Sequence, residues 1–243
     1  MSETLEERTS QILQRVSTAS ICTALFKTGL RNQFIQDVRP LSKPTTNMVG
    51  PAYTLRYIPA REDRNGISVF ENPEHPQRVA VEQCPEGHVM VMDSRNDPRA
   101  ASAGSILVTR LMIRGCAGVV TDGGFRDSPV IETLEIACYH NRPSAPTNLT
   151  LHEACDLNVP IGCGGVAVFP GDTIVGDGEG VVVIPAHMTA EIAEECARME
   201  RFEQFATEQV LKGAPVIGLY PPTSESARQA FEAWLAERSD DCT

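Results

Sequence analysis

Two short apolar runs that alternate with helical segments constrain the fold of this chain more than any other feature. The run VMVMDS at 89–94 leads through a polar loop, RNDPRAASA at 95–103, into the helical pattern ILVTRLMIRG at 106–115. A second run, CAGVVT at 116–121, follows at once. Strands that are joined through a helix by short connections lie parallel in one sheet. The sequence therefore predicts an α/β fold in which helices cover a parallel sheet.

Other segments extend this pattern in both directions. Residues 3–27, 188–212 and 224–239 have the apolar spacing of amphipathic helices, and a further helix is predicted at 128–138. The Val- and Gly-rich stretch 159–185 predicts a set of short strands separated by turns. The expected architecture is a layered α/β fold with short-stranded sheets and flanking N- and C-terminal helices.

Composition argues against several classes of function. The chain has 243 residues and a formal net charge of −11, and such an acidic surface repels phosphates, so nucleic-acid binding is not expected. No apolar run approaches the ~20 residues of a membrane-spanning helix, and the acidic start MSETLEERTS is unlike a signal peptide. No two of the eight cysteines are separated by two residues. Reduced core cysteines in a cytoplasmic protein without membrane contact are therefore expected.

One candidate ligand-binding element is the start of the helix that follows Gly104 and Ser105. Ligands of open α/β sheets bind beyond the carboxyl ends of the strands, and this turn leaves such an end. The first N–H groups of a helix have no intrahelical acceptor. The N–H groups of Ile106 and Leu107 are therefore expected to bind a carboxylate or phosphate, with Gly104 allowing a close approach of the backbone.

The second candidate element is the turn DGGFRD at 122–127, which follows the second apolar run. Its two glycines permit a sharp turn or a close approach to a ligand. The planar guanidinium of Arg126 suits a carboxylate, and the carboxylate of Asp127 suits a hard divalent cation. Two structural alternatives remain open: Asp127 caps the next helix, or Arg126 forms only an ion pair. Ser128 followed by Pro129 is the more natural helix start, which leaves Asp127 without a local role.

The residues around both turns resemble the signature of a known family. The segments AGSILVTRLMIRGCAGVVTDGGFRD at 103–127 and CGGVAVFPGDTIVGDGEGVVVIP at 163–185 carry the resemblance. They are similar to segments of the family that joins the regulator of ribonuclease E activity A (RraA) to the 4-hydroxy-4-methyl-2-oxoglutarate / 4-carboxy-4-hydroxy-2-oxoadipate aldolases. Some of its members are labelled demethylmenaquinone methyltransferase-like. The resemblance runs from about residue 15 to 212.

The resemblance implies a three-layer α/β/α fold of the swivelling-domain type. It also implies a homotrimer or homohexamer with sites at the clefts between subunits. On this basis we expect residues 1–212 to form an RraA-like, aldolase-like α/β domain. Residues 213–243 are expected to form a loop-and-helix extension that packs on the same or a neighbouring subunit.

The resemblance also implies roles for the candidate residues. In the aldolases, the arginine that matches Arg126 binds the pyruvyl oxygens and stabilises the enolate, and the aspartate that matches Asp127 holds Mg²⁺ or Mn²⁺. The N–H groups that match Ile106 and Leu107 hold the pyruvate carboxylate. An acid on the C-terminal helix of a neighbouring subunit completes the metal surroundings. Its candidates here are Glu200 and Glu203.

The sequence thus predicts a divalent-metal-dependent carbon–carbon lyase acting on a small 2-oxo acid, by retro-aldol cleavage that releases pyruvate or by oxaloacetate-type decarboxylation. The cation and Arg126 would both stabilise the enolate that receives the electrons of the broken bond. The alternatives are a non-enzymatic, protein-binding regulator of a ribonuclease and a dehydratase of a sugar-derived 2-oxo acid. One position departs from the aldolases: Ser105 stands where they commonly carry an acid, and a hydroxyl brings no charge to the metal.

Overall fold

The computed structural model describes residues 6–43 and 45–239 of the chain. No helix within these ranges combines the length and the apolar character needed to cross a membrane. The α-helices are α1 (Glu7–Leu13), α2 (Thr18–Lys27), α3 (Pro76–Gln83), α4 (Ser105–Ile113), α5 (Ser128–Ile131), α6 (Thr189–Leu211) and α7 (Glu225–Ser239). Short 3-10 helices lie at Ile67–Glu71, Asn148–Thr150 and Ala186–Met188.

The strands are mostly short, as the sequence predicts. They are β1 (Phe34–Ile35), β2 (Arg39–Pro40), β3 (Met48–Pro59), β4 (Val89–Asp93), β5 (Ala101–Ala103), β6 (Gly118–Thr121), β7 (Gly124–Phe125), β8 (Ala137–His140), β9 (Arg142–Pro143), β10 (His152–Leu157), β11 (Ile161–Cys163), β12 (Val166–Val168), β13 (Thr173–Gly176) and β14 (Val181–Ile184).

The largest sheet is mixed, with a parallel centre. Strands β3, β4, β6 and β8 lie side by side in this order and run parallel. Strands β13, β14 and β1 continue the sheet antiparallel beyond β3, and β2 pairs antiparallel with β8 at the other edge. β10 also pairs antiparallel with β3. The prediction of an α/β fold with a parallel sheet is confirmed.

Successive residues of the central strands bury opposite faces of this sheet. In β4, Met90 and Met92 pack in a cluster with Leu111 of α4 and with residues of α3. Val89 and Val91 pack in a second cluster with the hairpin formed by β11 and β12. Because neighbouring side chains of a strand point to opposite faces, a strand covered on both faces needs the uninterrupted apolar run seen in the sequence.

A second, three-stranded parallel sheet lies beyond the carboxyl ends of the central strands. Its order is β5, β7 and β9, and these strands follow β4, β6 and β8 in the chain. The connections shorten along the series, from 94–100 to 122–123 and then to the single residue Asn141. Each strand of the small sheet therefore continues from a strand of the large one, in the same order. The prediction of a loop at 95–103 was wrong at its end, where β5 forms.

Two predicted helices also differ from the structure. The helix predicted at 3–27 is interrupted, because Ser17 caps a new helix: its Oγ accepts the Ser20 N–H at 3.0 Å and α2 begins there. Residues 3–5 lie outside the described residues. The helix predicted at 128–138 ends at Ile131, and β8 takes up its last two positions. That stretch pairs with β6 in the sheet, so tertiary packing overrides the helical pattern there.

The chain divides into two compact units between Ala193 and Glu194. The second unit contains most of α6 and all of α7, which confirms the helices predicted at 188–212 and 224–239. Its core is a cluster of aromatic rings with centroids 5.0–6.1 Å apart, an arrangement that buries much apolar area in a small unit. The rings belong to Phe202, Phe205, Phe231 and Trp234. The division into 1–212 and 213–243 stays a prediction.

Candidate active site

The candidate site lies where two neighbouring strands of the small sheet end. Ala103 of β5 lies opposite Phe125 of β7 in the parallel register, so the residues that follow them are also neighbours. The Arg126 N–H donates to the Ala103 carbonyl at 3.1 Å. Beyond this point one segment enters α4 through Gly104, and the other turns at Asp127. The two turns that the sequence singles out are thus adjacent because two parallel strands end at the same edge.

Asp127 has a strained backbone, and its side chain points to the start of α4. Its φ of 57° and ψ of 30° lie in the left-handed region, which costs a residue other than glycine about 1 kcal/mol or more. It precedes α5, yet its carboxylate makes no capping hydrogen bond to that helix. Instead, Oδ2 accepts from the N–H of Ser105 at 3.3 Å and from its Oγ at 3.2 Å. Such strain is found where the surrounding structure holds a functional group in place.

Gly104 makes room for this pair of side chains. A Cβ atom at Gly104 would lie 2.8 Å from Cγ of Arg126 and 3.0 Å from Oδ2 of Asp127. Its φ of −127° is available to any residue, so the need for glycine comes from space and not from backbone conformation. The glycine therefore lets Arg126 and Asp127 lie directly against the helix start.

Arg126 keeps its guanidinium available. Its Nε lies 3.6 Å from Asp127 Oδ2, and the two side chains are 47% and 39% exposed. An ion pair of this length and exposure contributes little to stability. No described residue accepts a hydrogen bond from the guanidinium, so its planar set of donors is free to bind a carboxylate or an enolate oxygen.

The start of α4 offers fewer N–H groups than the sequence predicts. The Leu107 N–H donates to the Gly104 carbonyl at 3.1 Å, within the first turn of the helix. Within the described residues, nothing accepts a hydrogen bond from the Ile106 N–H. The Ile106 side chain is exposed. The helix start therefore presents the Ile106 N–H, together with the partial positive charge of the helix dipole, to the cleft.

Asp122, at the other end of the turn, is buried and bonded to the backbone of neighbouring loops. It is 1% exposed. Its Oδ1 accepts the Ser94 N–H at 2.6 Å, and its Oδ2 accepts the N–H groups of Asn96 at 2.8 Å and Gly164 at 3.2 Å. These bonds tie together three loops at the junction of the two sheets. Burial raises the pKa of Asp122 to about 6, against the opposing effect of the three backbone hydrogen bonds.

The two glycines of the turn serve packing and not ligand approach. A Cβ atom at Gly123 would lie 2.5 Å from Ser102 Oγ and 2.7 Å from Ser94 Cβ. One at Gly124 would lie 2.6 Å from Ser144 Cβ. The sequence left two roles open for these glycines, a sharp turn or a close approach to a ligand. The second role was wrong, because the space in front of both glycines is filled by neighbouring strands and loops of the protein.

A buried polar network supports β5 behind the site. The hydroxyl oxygen of Ser102 lies 2.7 Å from that of Ser94 and 2.6 Å from that of Thr121. The Ser102 carbonyl accepts from the Tyr57 hydroxyl at 2.8 Å and from Gln77 Nε2 at 2.7 Å. Satisfied buried networks of this kind make a structure rigid, and this one holds the strand that leads into the site.

The cleft in front of Arg126 and Asp127 has a volume of about 170 Å³. Gly104, Ile106 and Leu107 also line it, so the structure brings most of the predicted substrate-binding residues together. Ser105 contacts the site through Asp127. Sequence reasoning missed part of the wall, because α3, the 3-10 helix Ile67–Glu71 and the segment after β9 reach the cleft only through tertiary packing. The missed residues are Phe70, Gln77, Arg78, Thr147 and Asn148.

The donors present fit a water-rich divalent cation site and not a cage of protein ligands. Across residues 6–43 and 45–239, no three His, Cys, Asp or Glu side chains cluster as a metal site. Asp127 supplies one carboxylate at the cleft, and Ser105 adds a hydroxyl. Mg²⁺ is commonly held by one or two carboxylates and several waters. Glu200 and Glu203 lie on the part of α6 in the second unit, where Glu203 Oε1 accepts from the Tyr220 hydroxyl at 2.8 Å.

Comparison with known proteins shows the family to which the chain belongs. The model of the RraA-like family, described as Aldolase/RraA, matches residues 18–183, which include both turns of the site. The chain belongs to this RraA-like family. RraAS2 of Streptomyces coelicolor, a member of the RNase ES inhibitor RraA protein family, has the same fold. It superposes with a TM-score of 0.74 at 27% identity, over 84% of this chain and 98% of RraAS2.

Two relatives differ in what they share with the chain. A Halalkalibacterium halodurans protein provisionally named 4-hydroxy-4-methyl-2-oxoglutarate aldolase is 30% identical over 174 residues, 71% of this chain and 75% of that protein. Protein DlpA of Legionella pneumophila is 25% identical over 237 residues, 96% of this chain but 36% of DlpA. The second alignment necessarily includes most of the C-terminal segment.

Proposed function

We propose that this protein is a divalent-metal-dependent lyase that breaks a carbon–carbon bond of a small 2-oxo acid. The reaction is retro-aldol cleavage with release of pyruvate, or decarboxylation of an oxaloacetate-type acid. The observation that carries the proposal is the meeting of three groups in one cleft: the Ile106 N–H, the guanidinium of Arg126 and the strained carboxylate of Asp127. The names of RraA-like relatives support lyase chemistry.

Different residues bind different parts of the 2-oxo acid in this reaction. The Ile106 N–H, at the positive end of α4, binds the carboxylate next to the oxo group. Arg126 donates hydrogen bonds to the 2-oxo oxygen, and these strengthen as negative charge builds there. When the C3–C4 bond breaks, its electron pair becomes the enolate of pyruvate. In the retro-aldol reaction the 4-hydroxyl gives its proton to water and becomes a carbonyl, and in the decarboxylation the second product is CO₂. In both reactions the enolate then takes up a proton from water at C3 and becomes pyruvate.

Asp127 is the residue of this subunit that would hold Mg²⁺ or Mn²⁺. When bound, the cation acts as a Lewis acid on the 2-oxo group. Ser105 keeps Oδ2 of Asp127 in place through its N–H and its hydroxyl, and this fixes the direction of the carboxylate. Glu200 or Glu203 of a neighbouring subunit is the proposed second carboxylate, in a trimeric or hexameric assembly.

A metal-supplemented screen of 2-oxo acids, read by pyruvate release and by CO₂ release, tests the function. We expect activity with Mg²⁺ or Mn²⁺, reversible loss with chelator, and a folded but inactive Asp127→Asn variant. The exchange keeps the size of the side chain and removes the anionic ligand. Full activity of Asp127→Asn in the presence of chelator would contradict the proposal. A product that keeps the carbon skeleton and loses water would indicate a dehydratase instead.

Light scattering behind a sizing column tests the contribution of a neighbouring subunit. We expect a trimer or hexamer. In such an assembly Glu203→Gln or Glu200→Gln weakens metal binding, and Tyr220→Phe serves as the control for Glu203, because it removes the Tyr220 hydroxyl bond and keeps the acid. A monomer with full activity would remove both glutamates from the metal site.

A protein-binding regulator of a ribonuclease is the second candidate, favoured by the likeness to RraAS2 and by the acidic charge, which suits a basic partner. Such a regulator has no need of a strained aspartate in a cleft, beside an arginine whose guanidinium donates no hydrogen bond to a described residue. Inhibition of a ribonuclease by wild type and Arg126→Lys alike, with no 2-oxo acid turnover, would favour it over the lyase.

A further inference from the structure

Arg78 is a cleft residue that the proposed lyase chemistry does not use. It lies on α3, and its Cζ is 4.6 Å from the centroid of the Phe70 ring. Its guanidinium donates no hydrogen bond to any described residue and forms no ion pair with a described carboxylate. Arg110 of α4 offers a contrast, because it binds both carboxylate oxygens of Glu82. The charge of Arg78 is therefore left unpaired by the part of the chain that the structure describes.

Aromatic packing holds Arg78 without using its hydrogen-bond donors. The guanidinium lies over the Phe70 ring, and His75 contacts the same ring edge-on, with ring centroids 5.1 Å apart and an interplanar angle of 68°. Burial and then the charge of Arg78 lower the pKa of His75, so its imidazole is neutral at pH 7. The face of an aromatic ring attracts a cation without accepting a conventional hydrogen bond from it, so the N–H donors of Arg78 keep their capacity to bind an anion. Little conformational entropy is then lost when these groups bind an anion.

Two arginines thus line one cleft, each with a guanidinium that donates no hydrogen bond to a described residue. Arg126 lies beside the helix start, which takes the 2-oxo end of the substrate in the proposed reaction. Arg78 belongs to a different element of the wall, α3, and the amides of Gln77 and Asn148 line the same cleft. A ligand with one acidic group satisfies one guanidinium and leaves the other unpaired. A ligand with an acidic group at each end satisfies both.

We propose that Arg78 is the residue that binds a second carboxylate of the substrate, remote from the oxo carbon, and that any preference for such an acid over its uncharged analogue depends on this side chain. The orientation of the ligand rests on the proposed function, since the 2-oxo end is assigned to Arg126 there. The presence of a second anion-binding group in the cleft rests on Arg78 alone.

Binding of a matched pair of ligands tests this selection without requiring turnover. 2-Oxoglutarate and 2-oxopentanoate have the same chain length and differ only in a terminal carboxylate or methyl group. Calorimetry in the presence of Mg²⁺ is expected to show about tenfold to a hundredfold tighter binding of 2-oxoglutarate to the wild type, as charged hydrogen bonds contribute. Arg78→Gln is expected to reduce that preference to about twofold or less and to leave 2-oxopentanoate binding unchanged.

Arg31→Gln is the matched control, because Arg31 also stacks on a phenylalanine, Phe26 at 5.2 Å, and does not line the cleft. It is expected to keep the wild-type preference. Equal affinities of the wild type for both ligands, or no binding of 2-oxoglutarate, would overturn the proposal. So would a preference that survives Arg78→Gln, or an equal loss of both ligands in a variant that circular dichroism shows to be folded.

Pyruvate release separates this proposal from the lyase function. The substrates are 4-hydroxy-4-methyl-2-oxoglutarate and 4-hydroxy-4-methyl-2-oxopentanoate, which differ in the same way. Arg78→Gln is expected to lower kcat/KM for the first about tenfold or more and to leave the second unchanged. Selective binding without any pyruvate release would remove the retro-aldol function and keep the Arg78 site. Equal cleavage of both substrates, unchanged in Arg78→Gln, would keep the lyase and remove the site.

Discussion

Asp122 and Asp127 are the same residue type five positions apart in one turn, and they lie in opposite environments. Asp122 is buried at the junction of the two sheets, and both of its oxygens accept backbone N–H groups from separate loops. Asp127 is partly exposed in the cleft, has a left-handed backbone, and contacts Ser105 and Arg126. The Asp122 carboxylate is surrounded by backbone donors. At Asp127 only Oδ2 accepts hydrogen bonds from described residues, and Oδ1 accepts none.

The difference shows how to tell a structural carboxylate from a functional one. A buried carboxylate that accepts three backbone hydrogen bonds stabilises the loops that donate them, and its removal leaves those donors unsatisfied. A carboxylate that stays accessible at the expense of backbone strain contributes little to stability, and strain of that kind clusters at active sites. The packing around the cleft therefore keeps Asp127 in its strained conformation. The junction of the two sheets, which contains Asp122, is part of that packing.

The largest effect is expected from breaking the junction. Asp122→Asn places an NH₂ group against at least one backbone N–H, whichever way the amide turns. We expect a loss of about 3 kcal/mol in the free energy of unfolding at pH 7.5. Urea unfolding followed by circular dichroism measures it. Asp127→Asn is the matched exchange and is expected to stay within about 0.5 kcal/mol of wild type. Equal losses for the two variants would abolish the distinction drawn between the two carboxylates.

The next effect concerns the geometry of the cleft. Arg126→Lys keeps the charge and loses the two-pronged hydrogen bonding of the guanidinium. We expect kcat/KM for the 2-oxo acid substrate to fall about a hundredfold, with a thermal midpoint unchanged, because the side chain is half exposed and weakly paired. Arg110→Lys, at an exposed pair outside the cleft, is the control. Unfolding of Arg126→Lys would make Arg126 a structural ion-pair residue.

A pH series sharpens the description of Asp122. Its pKa of about 6 in the folded protein lies above the ordinary value near 4, so between these pH values the folded state binds more protons than the unfolded state. Protonation of Asp122 therefore stabilises the folded state fully below pH 4. As the pH rises from 4 to 6, the free energy of unfolding falls by about 2 kcal/mol.

The measurement is the free energy of unfolding at half-unit steps from pH 4 to 7, for wild type and Asp122→Asn. Burial also raises the pKa values of Asp93 and Asp172, which both proteins share, so the difference between the two curves reports Asp122. We expect the free energy of unfolding to fall less steeply with pH in Asp122→Asn than in wild type. Parallel curves over the whole range would contradict a raised pKa at Asp122.

The smallest effect is expected at the start of α4. Ser105→Asp adds a second carboxylate beside Asp127, as the resemblance to the aldolases implies. We expect Mg²⁺ to bind about tenfold more tightly, because two carboxylates neutralise the cation better than one. A metal titration of pyruvate release measures it, with Ser105→Asn as the uncharged control. Weaker metal binding by Ser105→Asp would contradict this expectation. It would show that the two acids repel each other and that Ser105 is needed to hold Asp127.

The sequence alone was enough to predict the fold class and the two turns that line the candidate site. Continuous apolar runs such as 89–92, alternating with helical patterns, need no tertiary information, because a strand buried on both faces has no polar period. Gly104, Arg126 and Asp127 were recognised because strand ends in α/β folds converge on one edge, and because the two signature segments resemble those of the RraA-like family. Proposals on metal, substrate and assembly still rest on that resemblance and on the cleft.

Tertiary structure decided what local patterns leave open. The stretch after Ile131 satisfies a helical period, yet its end becomes β8 because a parallel position beside β6 is available there. Asp122 and Asp127 have equal local signals, and only the loops around 94–96 and 164 make the first a buried acceptor. Arg78 reaches the cleft from a helix far away in the sequence, and long-range packing of this kind is not encoded in the pattern of any single segment.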